Sequence, residues 1–329
     1  MFRKVITSII IFHSITHFQQ TLAQSDPQFS QYMFVNEYVN PASTAIDNRT
    51  NLALLFRYQW AGSGSIASNT ELNGSPVTQL LIASTKIKQV NSGVGTYIMN
   101  ETLGPLSNIN AKFNYAYHFD LGKSQLGVGI GIGIYNQGID FSKFIYNTPN
   151  DPVISYLSRN ENKLNYDINA GVFYKSKNYF IGASSFHLNT PIYNDSTKAF
   201  ISRQYFFTAG ATIPINELFV FSPTVLIKTN FISINQANLD ISTLLKYNNE
   251  LLWAGLSYRS GIWKPDALVA IIGVGITQNN ALKVGYAFDL TVLGNAAKAG
   301  TSHEIMLSYS KPVQDILPKP IIRTPRYRF

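Results

Sequence analysis

The stretch Gln125-Leu-Gly-Val-Gly-Ile-Gly-Ile-Gly-Ile-Tyr-Asn-Gln137 decides the fold. At period two it places Leu126, Val128, Ile130, Ile132 and Ile134 on one face and Gly127, Gly129, Gly131 and Gly133 on the other, the alternation of a β-strand. A dinucleotide-binding glycine motif requires a turn that opens into a helix, whereas here the alternation runs on through the glycines. A tilted strand of this length reaches across a bilayer, since a spanning strand needs roughly 9–11 residues. Its apolar face then meets lipid, and its glycines line the interior.

The composition of the whole chain agrees with this local reading. Of 329 residues, 45% are hydrophobic and 13% aromatic, with 19 Tyr, 21 Phe and no Cys. Charged residues make up 13%, against about 25% in ordinary globular domains. Beyond the N-terminus no run approaches the roughly 20 apolar residues of a spanning helix. Only helices and closed barrels satisfy every backbone polar group in lipid, so an all-β transmembrane antiparallel barrel is expected. The absence of cysteine excludes disulfides, thiolate catalysis and thiolate metal sites.

Alternating windows place strands at 50–60, 76–87, 93–100, 107–120, 125–137, 164–174, 179–188, 204–213, 218–229, 237–247, 251–259, 268–277, 282–290 and 302–309, about 14 in all. The windows 179–188 and 204–213 are ambiguous, whereas Phe113, Tyr115, Tyr117 and Phe119 alternate cleanly with Lys112, Asn114, His118 and Asp120. Connections at 88–91, 121–124, 175–178, 214–217, 248–250 and 278–280 are short, and those at 61–75, 140–163, 189–202 and 291–300 are long. Bacterial barrels show this asymmetry, with short periplasmic turns and longer outer loops, so both termini are expected in the periplasm. A soluble lipocalin-like barrel, the competing architecture, closes with about eight strands.

Four regions follow. Arg3 and Lys4, an apolar run from Val5 to Phe12 and small residues before position 24 read as a signal peptide over 1–23, whose removal takes the formal charge from +8 to +6. Residues 24–49 form a periplasmic or luminal segment, 50–310 the barrel, and 311–329 a basic, proline-rich periplasmic tail. Within the second region, Asp26 reads as an N-cap with Pro27 at the first helical position, and Phe29, Tyr32 and Met33 fall on one helical face. A short amphipathic helix ending before Pro41 is expected. Its aromatics need burial, so Phe29, Tyr32, Met33, Phe34 and Tyr38 are a candidate plug or docking segment, with Gly127, Gly129, Gly131 and Gly133 the candidate luminal groove that receives the rings.

The segment Asp26-Pro-Gln-Phe-Ser-Gln-Tyr-Met-Phe34, with Arg57-Tyr-Gln-Trp60, Tyr258-Arg-Ser-Gly261, Gly285-Tyr-Ala-Phe-Asp289 and Ser302-His-Glu-Ile-Met-Leu-Ser-Tyr309, resembles the PorP/SprF family over nearly all of the mature chain. That resemblance implies a non-enzymatic barrel component of the type IX secretion system in a Bacteroidetes-type cell outer membrane. It also implies partners among the periplasmic secretion components and secreted proteins with C-terminal sorting domains, including gliding adhesin-type export. Where the family commonly has Asn-Pro-Ala-Tyr-Ala-Gly, this chain has Asn40-Pro-Ala-Ser-Thr-Ala45.

With apolar faces outward, Arg57, Lys112, Asp120, Asp167, Lys175, Asp240, Lys246, Arg259, Lys283, Asp289 and Glu304 face the lumen, either paired across it or forming a selectivity filter. His118, His187 and His303 lie on separate strands with no nucleophile or second ligand patterned beside them, and adjacent Ser302 and His303 point to opposite faces. No catalytic residue, metal or cofactor is expected. Outer-membrane lipid is the implied surrounding and nucleic acid is not a partner. The competing function is a passive porin-like or hydrophobic-solute channel.

Overall fold

A computed structural model describes residues 26–61, 75–140, 162–194, 199–231, 237–261, 264–277, 279–292 and 300–314. The signal-peptide reading, residues 315–329 of the tail, and within the long connections residues 62–74, 141–161, 195–198 and 293–299 lie outside these residues.

Fourteen antiparallel strands close into a barrel: β1 (Arg49–Ala61), β2 (Val77–Ile87), β3 (Ser92–Leu103), β4 (Leu106–Asp120), β5 (Gln125–Ile139), β6 (Asn162–Lys175), β7 (Tyr179–Phe186), β8 (Gln204–Ala211), β9 (Phe219–Thr229), β10 (Asn238–Tyr247), β11 (Leu252–Gly261), β12 (Lys264–Gly275), β13 (Leu282–Thr291) and β14 (Thr301–Pro312). Each pairs with its neighbour in sequence, and β1 closes the ring on β14 from Arg49↔Pro312 to Ala61↔Thr301. Closure leaves no free sheet edge to satisfy in lipid. A two-residue piece, Ile213–Pro214, continues past the end of β8 and pairs with β9, and Ile192–Asn194 pairs with Ala199–Phe200 outside the ring. No helix among the described residues is long and apolar enough to cross a membrane.

Period-two alternation sorts the side chains. In β4, Asn108, Asn110, Lys112, Asn114, Ala116 and His118 are buried, while Ile109, Phe113, Tyr115, Tyr117 and Phe119 are exposed on the outside. In β5, Val128, Ile130, Ile132 and Ile134 point outward. Water would penalise such a band, at about 25 cal/mol per Å² of apolar surface, and a bilayer does not.

Three features depart from the sequence reading. The connection between β3 and β4 is a two-residue turn at Gly104-Pro105, with Leu103 facing Leu106, on the rim where long loops were expected. Gly104 takes φ +57, which a glycine adopts without steric cost, so β3 runs three residues further toward the turn than its hydrophobic alternation indicated and β4 starts one residue earlier. The boundary between barrel and tail also shifts: Lys311 and Pro312 pair with Thr50 and Arg49, and Arg49 donates to the Ser310 hydroxyl and carbonyl. Proline is tolerated there because it sits at the last residue of the strand. Finally, β7 and β8, in the two ambiguous windows, are the shortest barrel strands at 8 residues each.

Candidate functional site

The lumen is occupied by the chain's own N-terminal segment. Phe29, Tyr32, Val35, Tyr38, Val39, Ala42, Ala45 and Ile46 are buried, as are Ser30, Gln31, Asn40, Ser43 and Thr44. The expected single helix is broken into a 3-10 turn (Tyr32–Phe34), one α-helical turn (Asn36–Val39) and a second 3-10 turn (Pro41–Ser43). Partners on the barrel wall replace intrahelical bonds. Asp26 is not an N-cap; its carboxylate faces the His187 imidazole at 3.1 Å, and Lys228 donates to its carbonyl.

Ser30 is the most heavily tied residue. Its amide and that of Gln31 donate to the two oxygens of Glu304 at 2.8 and 2.9 Å. Its hydroxyl donates to Asp289 at 2.7 Å and accepts from Arg57 at 2.6 Å and Arg259 at 3.0 Å. Arg57 bridges Asp289 and Glu304, and Arg259 bridges Asp240 and Asp289, with all five side chains nearly inaccessible. Gln28 donates to the remaining Asp240 oxygen. Two guanidinium groups thus face three carboxylates, and the segment supplies the missing donors from its backbone, a hydroxyl and an amide. Charge-assisted bonds of this kind are roughly twice as strong as neutral ones.

Across the lumen, His187 stands between Asp26 and Asp167, and Lys112 reaches Asp167 at 2.5 Å. Glu37 accepts from the Ser84 hydroxyl, the Ala45 amide and Asn51 and forms no ion pair among the described residues; burial pushes its carboxyl above the usual range despite those bonds. The remaining expected lumen charges, Asp120, Lys175, Lys246 and Lys283, sit at the short-turn rim, where Lys246 and Lys283 both pair with Glu250 and Lys175 pairs with Asp47.

The aromatics of the segment pack on rings and aliphatics of the wall. Tyr38 meets Phe29 and Tyr97 edge-on at 5.2 and 5.4 Å, Phe34 lies 5.5 Å from Trp253, and the Tyr32 hydroxyl reaches Thr224. Met33 and Phe34 are partly buried. The rings do not lie on the glycines of β5. Backbone does: a Cβ on Gly127 would stand 2.3 Å from the Ala42 carbonyl oxygen, and one on Gly129 2.5 Å from Ala42 N and Cα. Gly93 of β3 is tighter still, at 1.9 Å from the Thr44 carbonyl oxygen. Gly131 and Gly133 do not receive the segment; they make room for Asn114 and for the backbone of Ala111 and Lys112 on the neighbouring strand. A 3-10 turn brings main chain closer to the wall than a ring carried on a side chain, which is why the glycine stripe receives Pro41–Thr44.

Sequence reasoning missed Ser30, Gln31, Asn40 and His187 as anchoring residues. One signal was available. Leu52-Ala-Leu-Leu-Phe56 and Leu80-Leu-Ile82 are apolar on both faces, and a strand of that kind needs cover on both sides. Their inward members Ala53, Leu55, Leu80 and Ile82 pack in one cluster with Phe29, Tyr32 and Tyr38.

The sequence pattern of type IX secretion system membrane proteins of the PorP/SprF kind matches residues 21–309. The chain belongs to the PorP/SprF family. Four of the stretches that carry the resemblance meet at Ser30: Arg57, Arg259, Asp289 and Glu304 each come from a different one, and Gly285 leaves room for the Gln31 side chain. No curated protein sequence matches. Among solved structures, a TodX monoaromatic hydrocarbon channel mutant matches at 12% identity and a TM-score of 0.46, covering 84% of this chain and 94% of that one. The toluene transporter TbuX of Ralstonia pickettii matches at 9% and 0.49, covering 84% and 92%, and a mutant Rh. blastica porin at 8% and 0.34, covering 80% and 99%.

In this PorP/SprF chain Ala45 holds φ +51, in the left-handed region, at the position where the family pattern has glycine. A Cβ there costs about 1 kcal/mol. Ala45→Gly is expected to stabilise the protein by up to that amount, read as a raised unfolding midpoint in denaturant; a lowered midpoint would contradict the strain.

Proposed function

We propose that the protein is a non-enzymatic outer-membrane component of the type IX secretion system that binds partner proteins or secreted substrates at its rims, with its lumen plugged by residues 26–48. Membership of the family supports the secretion role. The observation that carries the rest is the occupied lumen: the segment is bonded to strands on every side, from Asp240 and Asp289 through Glu304 and Arg57 to Ser84, Ser184 and the Val172 carbonyl. A passive porin or solute channel depends on an open path through the barrel. A plugged barrel is suited instead to presenting its loops and turns to proteins, periplasmic secretion components on the short-turn face and sorting-domain substrates among them.

Affinity capture from native membranes tests this. Recovery of secretion components or a sorting-domain protein is expected; steady single-channel conductance of the full-length protein with no partner recovered favours the passive channel. The orientation has its own test. Cysteine introduced at Ser107, beside the Gly104 turn, is expected to react with an impermeant reagent on intact cells, whereas cysteine at Lys177 on the opposite rim is not. The reverse pattern would overturn the assignment.

A further inference from the structure

The short-turn rim carries a polar cleft of about 300 Å³ between the turns after β4 and β6 and the end of the luminal segment, lined among others by Asp47, Asp120, Lys123, Ser124, Lys175 and Lys177. Three lysines face two carboxylates there. Asp120 is already held by Asn91 and Gln125. Lys175 is taken by Asp47, the acid that ends the luminal segment, and that pair is open to water, with side-chain exposures of 36% and 47%. Lys123 and Lys177 are exposed and make no ion pair among the described residues. The cleft is therefore a cationic site with one of its counter-charges, the water-exposed Asp47, supplied by the plug. Beside it the Tyr174 hydroxyl donates to Ser124 and Ser124 donates to Ser176 at 3.4 Å, which leaves the Ser176 hydroxyl as a further donor.

We propose that this cleft docks an acidic segment of a partner protein, whose carboxylates engage Lys123 and Lys177 and compete with Asp47 for Lys175. The proposal rests on the reading of the short-turn face as the periplasmic, partner-binding one. An acidic polypeptide fits better than a single anion, because the ammonium groups come from two separate turns and call for carboxylates spaced along a chain. The buried stretch that packs on Gly93, Gly127 and Gly129 ends at Ile46, next to Asp47, so releasing Asp47 loosens the plug at its own exit. Docking and plug retention are thereby coupled through one exchangeable ion pair, which water keeps weak.

The test uses the purified full-length barrel and a fluorescent hexaglutamate peptide, with binding followed by anisotropy at low salt. Lys123→Glu with Lys177→Glu is expected to weaken binding by about tenfold or more. Arg203→Glu, an equal kind of charge change on the opposite rim, is expected to leave it unchanged. Asp47→Asn is expected to tighten binding by releasing Lys175. Equal loss in the Arg203 variant would reduce the effect to overall charge and overturn the site. Unchanged binding in the lysine double variant would overturn the docking, and unchanged binding in Asp47→Asn would overturn the competition. Inorganic phosphate that displaces the peptide at equal concentration would show a small-anion site instead. None of these readings depends on conductance, so they succeed or fail separately from the plug.

Discussion

Removing residues 26–45 is expected to open the barrel to ions. In planar bilayers the full-length protein should show a closed baseline, and the deletion variant a steady current at least about tenfold larger, because a fourteen-strand barrel is wider than wall side chains fill. Deletion also bares Leu55, Leu80 and Met306, which lie against the segment, so the variant needs a check that it still forms a barrel. Gly93→Val combined with Gly129→Val reaches the same end without shortening the chain, since side chains there occupy the space of the Thr44 and Ala42 backbone. Two folded variants that both stay closed would mean that the segment is not what closes the lumen.

The second large effect is expected at the Ser30 anchor. Arg57→Ala leaves Asp289 and Glu304 buried with Arg259 as their nearest cation, and removing one partner of a buried pair costs about 3–5 kcal/mol. Glu304→Ala leaves Arg57 with Asp289 as its one acidic partner among the described residues and strands the buried Ser30 and Gln31 amides, a further loss in the same direction. Arg57→Met with Glu304→Met should recover part of the deficit, because well-packed apolar replacements of an ion pair are often close to neutral. The readout is limited proteolysis together with the denaturation midpoint. Cleavage within the segment while the barrel fragment survives is the expected pattern for either alanine variant, and resistance equal to the unaltered protein would contradict the anchor.

Why the barrel was legible and its content only partly so follows from particular residues. Period two is legible over 125–137 and 107–120, most of the 15-residue strands Gln125–Ile139 and Leu106–Asp120, and a helical period does not fit it. The ambiguous windows were weak for a physical reason: Tyr179–Phe186 mixes Gly182, Ala183, Ser184 and Ser185 on both faces, leaving little contrast between them. The need for burial of Phe29, Tyr32 and Tyr38 could be read from their apolarity. Their partners could not, because contacts such as Ser30 to Asp289 join residues far apart in sequence and depend on how the ring closes. The helix expected over this segment failed on the same ground. Local spacing favoured a helix, but Glu304 offers two carboxylate oxygens to consecutive amides, and those bonds fix Ser30 and Gln31 in a turn ahead of Tyr32.

Hydrogen–deuterium exchange of the peptide spanning residues 29–38 tests the central claim most directly, because it reports on the segment in the intact protein and requires no substitution. The Ser30 and Gln31 amides are bonded to a buried carboxylate and enclosed by the barrel wall, so they are expected to exchange as slowly as the amides of β4 and β5. Exchange complete within seconds, while those strands stay protected, would place the segment outside the lumen and contradict the account.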